Sequence, residues 1–438
     1  MDSSRGQAPV PGDVGVRDPV PADVGVRAEA DALLDRRQDP QWVSLSWVAV
    51  RPLISSLNQV LCTAAPSLVP QLRDFWLTRV PATGEPLALS RHVDRGADNA
   101  FVVMGDTGEQ DRSQYIVAPV LRRVVEGSSR VASGVEGPSE APAGTRCDPP
   151  GFAVICSDVL YPSGDVNGYV HGVYLPYGPR PEGAGRPTRL EHLPLLAIPG
   201  NHDWHDGLAA FMQHFCGTGS LPPGELGWPA GVADARARWQ DGLVRLLWRR
   251  PVAARAQPFW RRVPGEPSPC LDDGRPAAAA RSVEQQRRLR RPAESARQPQ
   301  GVLQPLQPGP YFSVQIDGLL VVAIDTGVGL GDGDSAIDAG QGRWLLEVSR
   351  RPGPKVLLTG NPLLVGAQWK VCWIGGPPGA GGAPVDGYRT VNEIVADPAF
   401  AYVAAIGGDI HNFQHYQRVV GPGAGHLVHY VVSGGGGA

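Results

Sequence analysis

Along this chain, short apolar runs stop abruptly at a glycine or a polar residue, and the pattern recurs. The run at 101–104 meets Gly105-Asp106, the run at 152–156 meets Ser157-Asp158, and Leu195–Ile198 meets Gly200-Asn201-His202. Leu319–Ile324 precedes Asp325, the run at 356–358 precedes Thr359-Gly360, and the run at 402–406 precedes Gly407-Gly408-Asp409. Short apolar runs bounded by turn residues predict buried strands. In open α/β sheets, ligands gather beyond the carboxyl ends of strands. The pattern therefore predicts an α/β fold that delivers carboxylates, an amide and imidazoles to one edge.

The rest of the chain reads differently. Residues 1–38 carry two Pro/Gly-rich copies of one short repeat, too small to bury a core, and predict a disordered tail ahead of one domain over 39–438. Leu53, Ile54, Leu57, Val60 and Leu61 lie at helical spacing, so 40–80 predicts helix. Residues 126–150 are Gly/Ser/Pro/Glu-rich and predict a loop. Residues 221–308 interrupt the strand pattern with an amphipathic stretch around Trp239 and Leu243 and an Arg-rich run from Arg281 to Arg291. This insertion predicts a solvated surface elaboration, with a basic lid or partner-binding segment as the alternative.

Composition adds limits. A formal net charge of −3 gives no global electrostatic case for nucleic acid. The six cysteines are scattered without C-x-x-C spacing, which predicts free thiols and a reducing, cytoplasmic setting. The first residues show no apolar leader segment, and no run is long enough to predict a membrane span.

Carboxylate, amide oxygen and imidazole together suit a hard to borderline cation such as Mn, Fe or Zn. Such an ion lowers the pKa of bound water, and two ions about 3.5–4 Å apart can clamp an in-line displacement at phosphorus. A neighbouring histidine can stabilise charge or protonate a leaving group.

In order and strand context, these motifs resemble calcineurin-like metallophosphoesterases, in particular the purple-acid-phosphatase-like branch. That branch carries G-D-x-G, G-D-x-x-Y, G-N-H-[DE], V-x-x-H and G-H-x-H. The chain has Gly105-Asp106-Thr107-Gly108, Ser157-Asp158-Val159-Leu160-Tyr161, Gly200-Asn201-His202-Asp203, the stretch from Val356 to Pro362, and Gly408-Asp409-Ile410-His411. The resemblance implies a β-sandwich flanked by helices and one or two metal ions (Fe, Mn or Zn) per chain. It implies that Asp106, Asp158, Tyr161 and His411 form a first metal site, with Asp158 bridging to a second that includes Asn201. His202 would face the phosphoryl group of a small phosphorylated substrate, steadied by Asp203.

Ser157 replaces the glycine of G-D-x-x-Y, a mild change, and two further motifs depart from the family. The histidine of V-x-x-H falls on Gly360, which cannot ligate, and the first histidine of G-H-x-H falls on Asp409, which can. Both changes fall on the second site, which then becomes oxygen-rich and suits Mn or Mg. Thr359 or Asn361 are further oxygen sources there. The alternative function is a degenerate, non-catalytic relative that binds metal or a phosphorylated ligand. A third reading is an interaction protein that uses the Arg-rich insertion.

Other candidates are weaker. Asp332, Asp334 and Asp338 predict a plain acidic loop, since EF-hand spacing fails. Glu109 and Asp111 are candidates to support the first motif. His415 is a candidate substrate contact, and His426 and His429 are expected on opposite faces of a last strand over 427–432. In the resembling enzymes the glycine-rich end after Ser433 leads onward.

Overall fold

The computed structural model describes residues 84–87, 89, 100–109, 112–132, 150–161, 168–178, 193–206, 208–216, 307–316, 318–327, 334–377, 384–421, 423 and 425–436. The tail, the helix expected over 40–80 and nearly all of the 221–308 insertion lie outside these residues.

Within them the fold is mixed α/β. The first three strands are β1 (Val102–Met104), β2 (Ala153–Cys156) and β3 (Leu195–Ile198), which form an all-parallel sheet in that order. β1 and β2 are joined through helix α1 (Arg112–Ala132), since parallel neighbours need a crossover. β2 is central and buried throughout, which is why AVIC reads as an unbroken apolar run. β3 is an edge, and the Gln307 side chain covers it. That amide accepts from Ala197 N at 2.8 Å and donates to Ala197 O at 2.9 Å, as a neighbouring strand would.

The second half builds β4 (Phe312–Ile316), β5 (Leu319–Ile324), β6 (Ser335–Ile337), β7 (Lys355–Thr359), β8 (Leu364–Val365), β9 (Gln368–Trp369), β10 (Cys372–Ile374), β11 (Tyr402–Gly407), β12 (Phe413–Val420) and β13 (His426–Ser433). Six of them form one sheet in the order β12-β13-β11-β7-β5-β4. Its middle is parallel, and antiparallel hairpin partners close both edges. Helices α2 (Ala339–Ser349) and α3 (Val391–Ala396) start at well-made caps. Asp338 accepts from Gln341 N, and Thr390 with Glu393 forms a capping box.

Three apolar clusters organise these elements. One packs Met104, Ile155 and Ala197 of the small sheet against Ala118 and Val125 of α1. A second joins the two sheets through Phe152, Val154 and Ile198 on one and Val321, Ala323 and Leu358 on the other. The third packs Val322, Leu357 and Tyr430 against Trp344 and Leu345 of α2 and Ile394 of α3.

One expectation needs correction. The stretch 126–150 is not loop from its start, because α1 continues to Ala132. Tyr115, Ala118, Arg122 and Val125 recur at helical spacing and are all buried. Arg122 donates to Pro176 O at 2.8 Å and Tyr115 to His171 O at 2.7 Å. Tertiary packing of that face outweighs the weak helix propensity of Gly127 and Ser128.

Candidate metal centre

Each motif occupies the turn just past a parallel strand. Asp106 follows β1, Asp158 follows β2, Asn201 follows β3, Gly360 follows β7 and Asp409 follows β11. The carboxyl ends of the two sheets meet there. Gly436 N donates to Gly105 O at 2.9 Å and Cys156 Sγ to Thr359 O at 2.8 Å. Asp106, Ser157, Asp158 and Asp409 all have positive φ, at 55°, 74°, 26° and 64°. Non-glycine residues enter this region at a cost, and such strain clusters at functional sites.

Hydrogen bonds lock the turns together. Asp158 Oδ1 accepts from His202 N at 3.0 Å, which ties the β2 turn to the β3 turn. Gly200 permits this approach, since a Cβ there would collide with the Asp158 carboxylate. Asp203 is fully buried, and its Oδ2 accepts from Val159 N at 2.9 Å and Gly200 N at 3.0 Å. Its carboxylate therefore acts as a clasp between the same two turns. Asp106 Oδ1 accepts from Asp409 N at 3.1 Å and joins the small sheet to the large one.

Carboxylate charges are crowded here. Burial raises the Asp106 pKa well above the usual carboxylate value, and the nearby Asp158 charge raises it further. Asp409 is raised by burial and then by Asp158, while Asn361, His411 and His202 oppose the rise. Tyr161 is pushed far up by burial and by the charges of Asp158 and Asp106, so its phenol is neutral without a strongly charged cation beside it. Its hydroxyl lies 3.1 Å from His411 Nε2, and its ring centroid is 4.5 Å from that of His202.

At this centre Asp106 Oδ2 and Asn201 Oδ1 are buried acceptors with no hydrogen-bond partner, and the buried hydroxyl of Thr107 has none either. An unpaired buried acceptor costs about 1–3 kcal/mol, and a cation would satisfy both. The donor types thus fit a hard or borderline ion. Among the described residues, no three His, Cys, Asp or Glu side chains stand close enough to hold an ion as they are.

The large-sheet side is more self-contained. Gly360 leaves little room for the missing histidine, since a Cβ would stand 2.9 Å from Thr326 Oγ1 and 3.3 Å from Pro199 O. Thr326 Oγ1 accepts from Asn361 N at 2.8 Å, and Thr359 Oγ1 donates to Asn361 O. The Thr359 hydroxyl is thereby engaged, whereas the Asn361 side chain reaches Asp409.

Sequence reasoning missed several supporting groups. Ser157, read as a mild replacement of glycine, hydrogen-bonds the Asp106 carboxylate. Asp325 Oδ1 accepts from Trp204 Nε1 at 3.2 Å and Gly327 N at 2.9 Å, anchoring the segment after His202. The signal for Asp325 was its place at the end of β5. Asp334 accepts from Val371 N and Asp338 caps α2, which accounts for two acids of the acidic loop; Asp332 lies outside the described residues. Glu109 is half-buried beside the first motif, and Asp111 is outside the described residues. Cys156, Cys216 and Cys372 are free buried thiols, and burial with the Asp106 charge pushes Cys156 up to about 12. No described helix is long and apolar enough to cross a membrane. No protein-family model matches the chain, and a search of curated proteins finds no match.

Proposed function

We propose that the chain is a metal-dependent phosphoesterase of the calcineurin-like kind, its two main sheets forming that family's β-sandwich. The observation that carries the reading is the pair of unpartnered buried acceptors, Asp106 Oδ2 and Asn201 Oδ1, past the ends of the two strands that flank β2, among crowded carboxylates. Asp106, Asp158, Tyr161 and His411 would hold one ion, and Asp158, Asn201 and Asp409 an oxygen-rich second. A bound ion would activate water near neutral pH and offset charge on a phosphoryl group.

The chain's own residues do the rest. Asp158 fixes the His202 backbone, which orients the imidazole beside Tyr161. His202 would donate a hydrogen bond or a proton to the phosphoryl oxygens. Asp203 supports it indirectly, by clasping the two turns. The free thiols support a cytoplasmic setting.

The test is turnover of a phosphomonoester and a phosphodiester, such as p-nitrophenyl phosphate and its bis ester, with added Mn²⁺ and with chelator. Mn²⁺-dependent hydrolysis is expected. Metal binding without hydrolysis would favour the non-catalytic reading, which the missing ligand at Gly360 supports.

A further inference from the structure

On the hairpin that closes the large sheet, two histidines face each other. β12 and β13 pair antiparallel with His415 opposite Val431 and Gln417 opposite His429, which sets the two imidazoles diagonally on one face. His415 Nε2 and His429 Nδ1 are 2.9 Å apart. The rings lie within 15° of parallel with centroids 5.2 Å apart, so they meet edge to edge with the two nitrogens aimed at each other. This N···N bond requires one nitrogen to keep its lone pair. The tautomers with hydrogens on His415 Nδ1 and His429 Nε2 leave a lone pair on each of the two facing nitrogens.

We infer that His415 and His429 form a transition-metal site distinct from the strand-end centre. With metal–nitrogen bonds of about 2.0–2.1 Å, nitrogens 2.9 Å apart subtend roughly 90° at an ion. That bite suits the tetragonal geometry of Cu²⁺ or Ni²⁺ better than tetrahedral Zn²⁺. His415 is exposed and His429 half-buried, so the outer ring has room to pivot until both lone pairs converge. Gln417, directly opposite His429, places an exposed amide oxygen on the same face as an added donor, and water completes the coordination. When both imidazoles are neutral, a shift of tautomer frees the second lone pair and no proton leaves the protein. The bound ion cross-links the outermost strand to its neighbour.

The site is tested by titrating Cu²⁺ into the full chain and into His415→Ala and His429→Ala, with calorimetry and electron paramagnetic resonance. The wild type should show a class of bound Cu²⁺ with hyperfine coupling from two imidazole nitrogens. Each variant should lose that signature and bind this equivalent about 10²-fold more weakly, as expected when one arm of a rigid chelate is removed. Phosphoester turnover of His429→Ala should be unchanged, which separates this outcome from failure of the strand-end centre. In wild-type protein followed by NMR, low Cu²⁺ should broaden the His415 and His429 ring signals first, a reading that needs no variant to fold. Variants that match the wild type in affinity and spectrum, or ring signals that stay sharp, would overturn the inference.

Discussion

The two sheets bring unlike chemistry to the same edge. On the small-sheet side, Asp106 and Asn201 each end in a buried oxygen with no partner. Asp158 stands between them, held to the His202 backbone. On the large-sheet side, Thr326, Thr359 and Asn361 bond one another, and Asn361 reaches Asp409. One half holds buried oxygens without partners, and the other has largely bonded its own. The affinity for metal should therefore reside in the turns after β1, β2 and β3, with Asp409 and His411 completing what those turns begin.

The strongest blow to that asymmetry is Asp158→Asn. The amide oxygen can still accept from His202 N, so the turns stay joined, but the charge shared by both proposed ion sites is gone. Retained metal and Mn²⁺-dependent turnover should both fall to background, read by elemental analysis and assay. Variant protein that keeps its metal would move the binding power elsewhere.

Next is His202→Ala, which should lower turnover by about 10²–10⁴-fold, the scale of a positioned acid–base group. Metal content should stay near wild type; loss of metal would make His202 a ligand.

Asp106→Asn addresses the cost of the unpartnered oxygen at that residue. The Asp106 pKa is raised in the folded chain, so its contribution to stability is full below the unfolded carboxylate value of about 3.9 and is lost as pH rises through the folded value. At neutral pH the metal-free wild type thus carries a penalty that the neutral amide lacks, and asparagine tolerates the positive φ. The metal-free variant should melt a few degrees higher, on the order of 2–4 °C per kcal/mol relieved. It should also lose the melting-temperature rise that Mn²⁺ gives the wild type. A lower melting point would contradict this.

How much of this was legible in the chain follows the same divide. The strands ahead of Asp106, Asp158, Asn201, Asp325, Gly360 and Asp409 were visible because each is a short apolar run flanked by turn residues, and those ahead of Asp158, Asp325 and Gly360 are buried almost throughout. The ends of α1 were hidden because its apolar face is narrow and includes the buried Arg122. Ser157 and Trp204 carried no local signal of their partners, since Asp325 lies 121 residues from Trp204 in the chain. The loss at Gly360 was legible. The crowding that fills its place came only from the fold.

That crowding gives the smallest expected effect. Gly360→His should destabilise by about 1–3 kcal/mol through overpacking against Thr326, without gaining metal. Asp409→His keeps a residue type suited to positive φ and should raise retained Zn²⁺ modestly. Equilibrium unfolding and metal analysis of the two variants would expose the reverse order.

The most direct measurement is a crystal of the protein soaked in Mn²⁺, with the metal located by anomalous scattering. The account predicts a peak contacting Asp106 Oδ2 and Asp158, with ligand distances near 2.0–2.2 Å, and a weaker one at Asn201 Oδ1 beside Asp409. Density at neither oxygen, with Asp106 and Asn201 satisfied by the protein or by water alone, would contradict it.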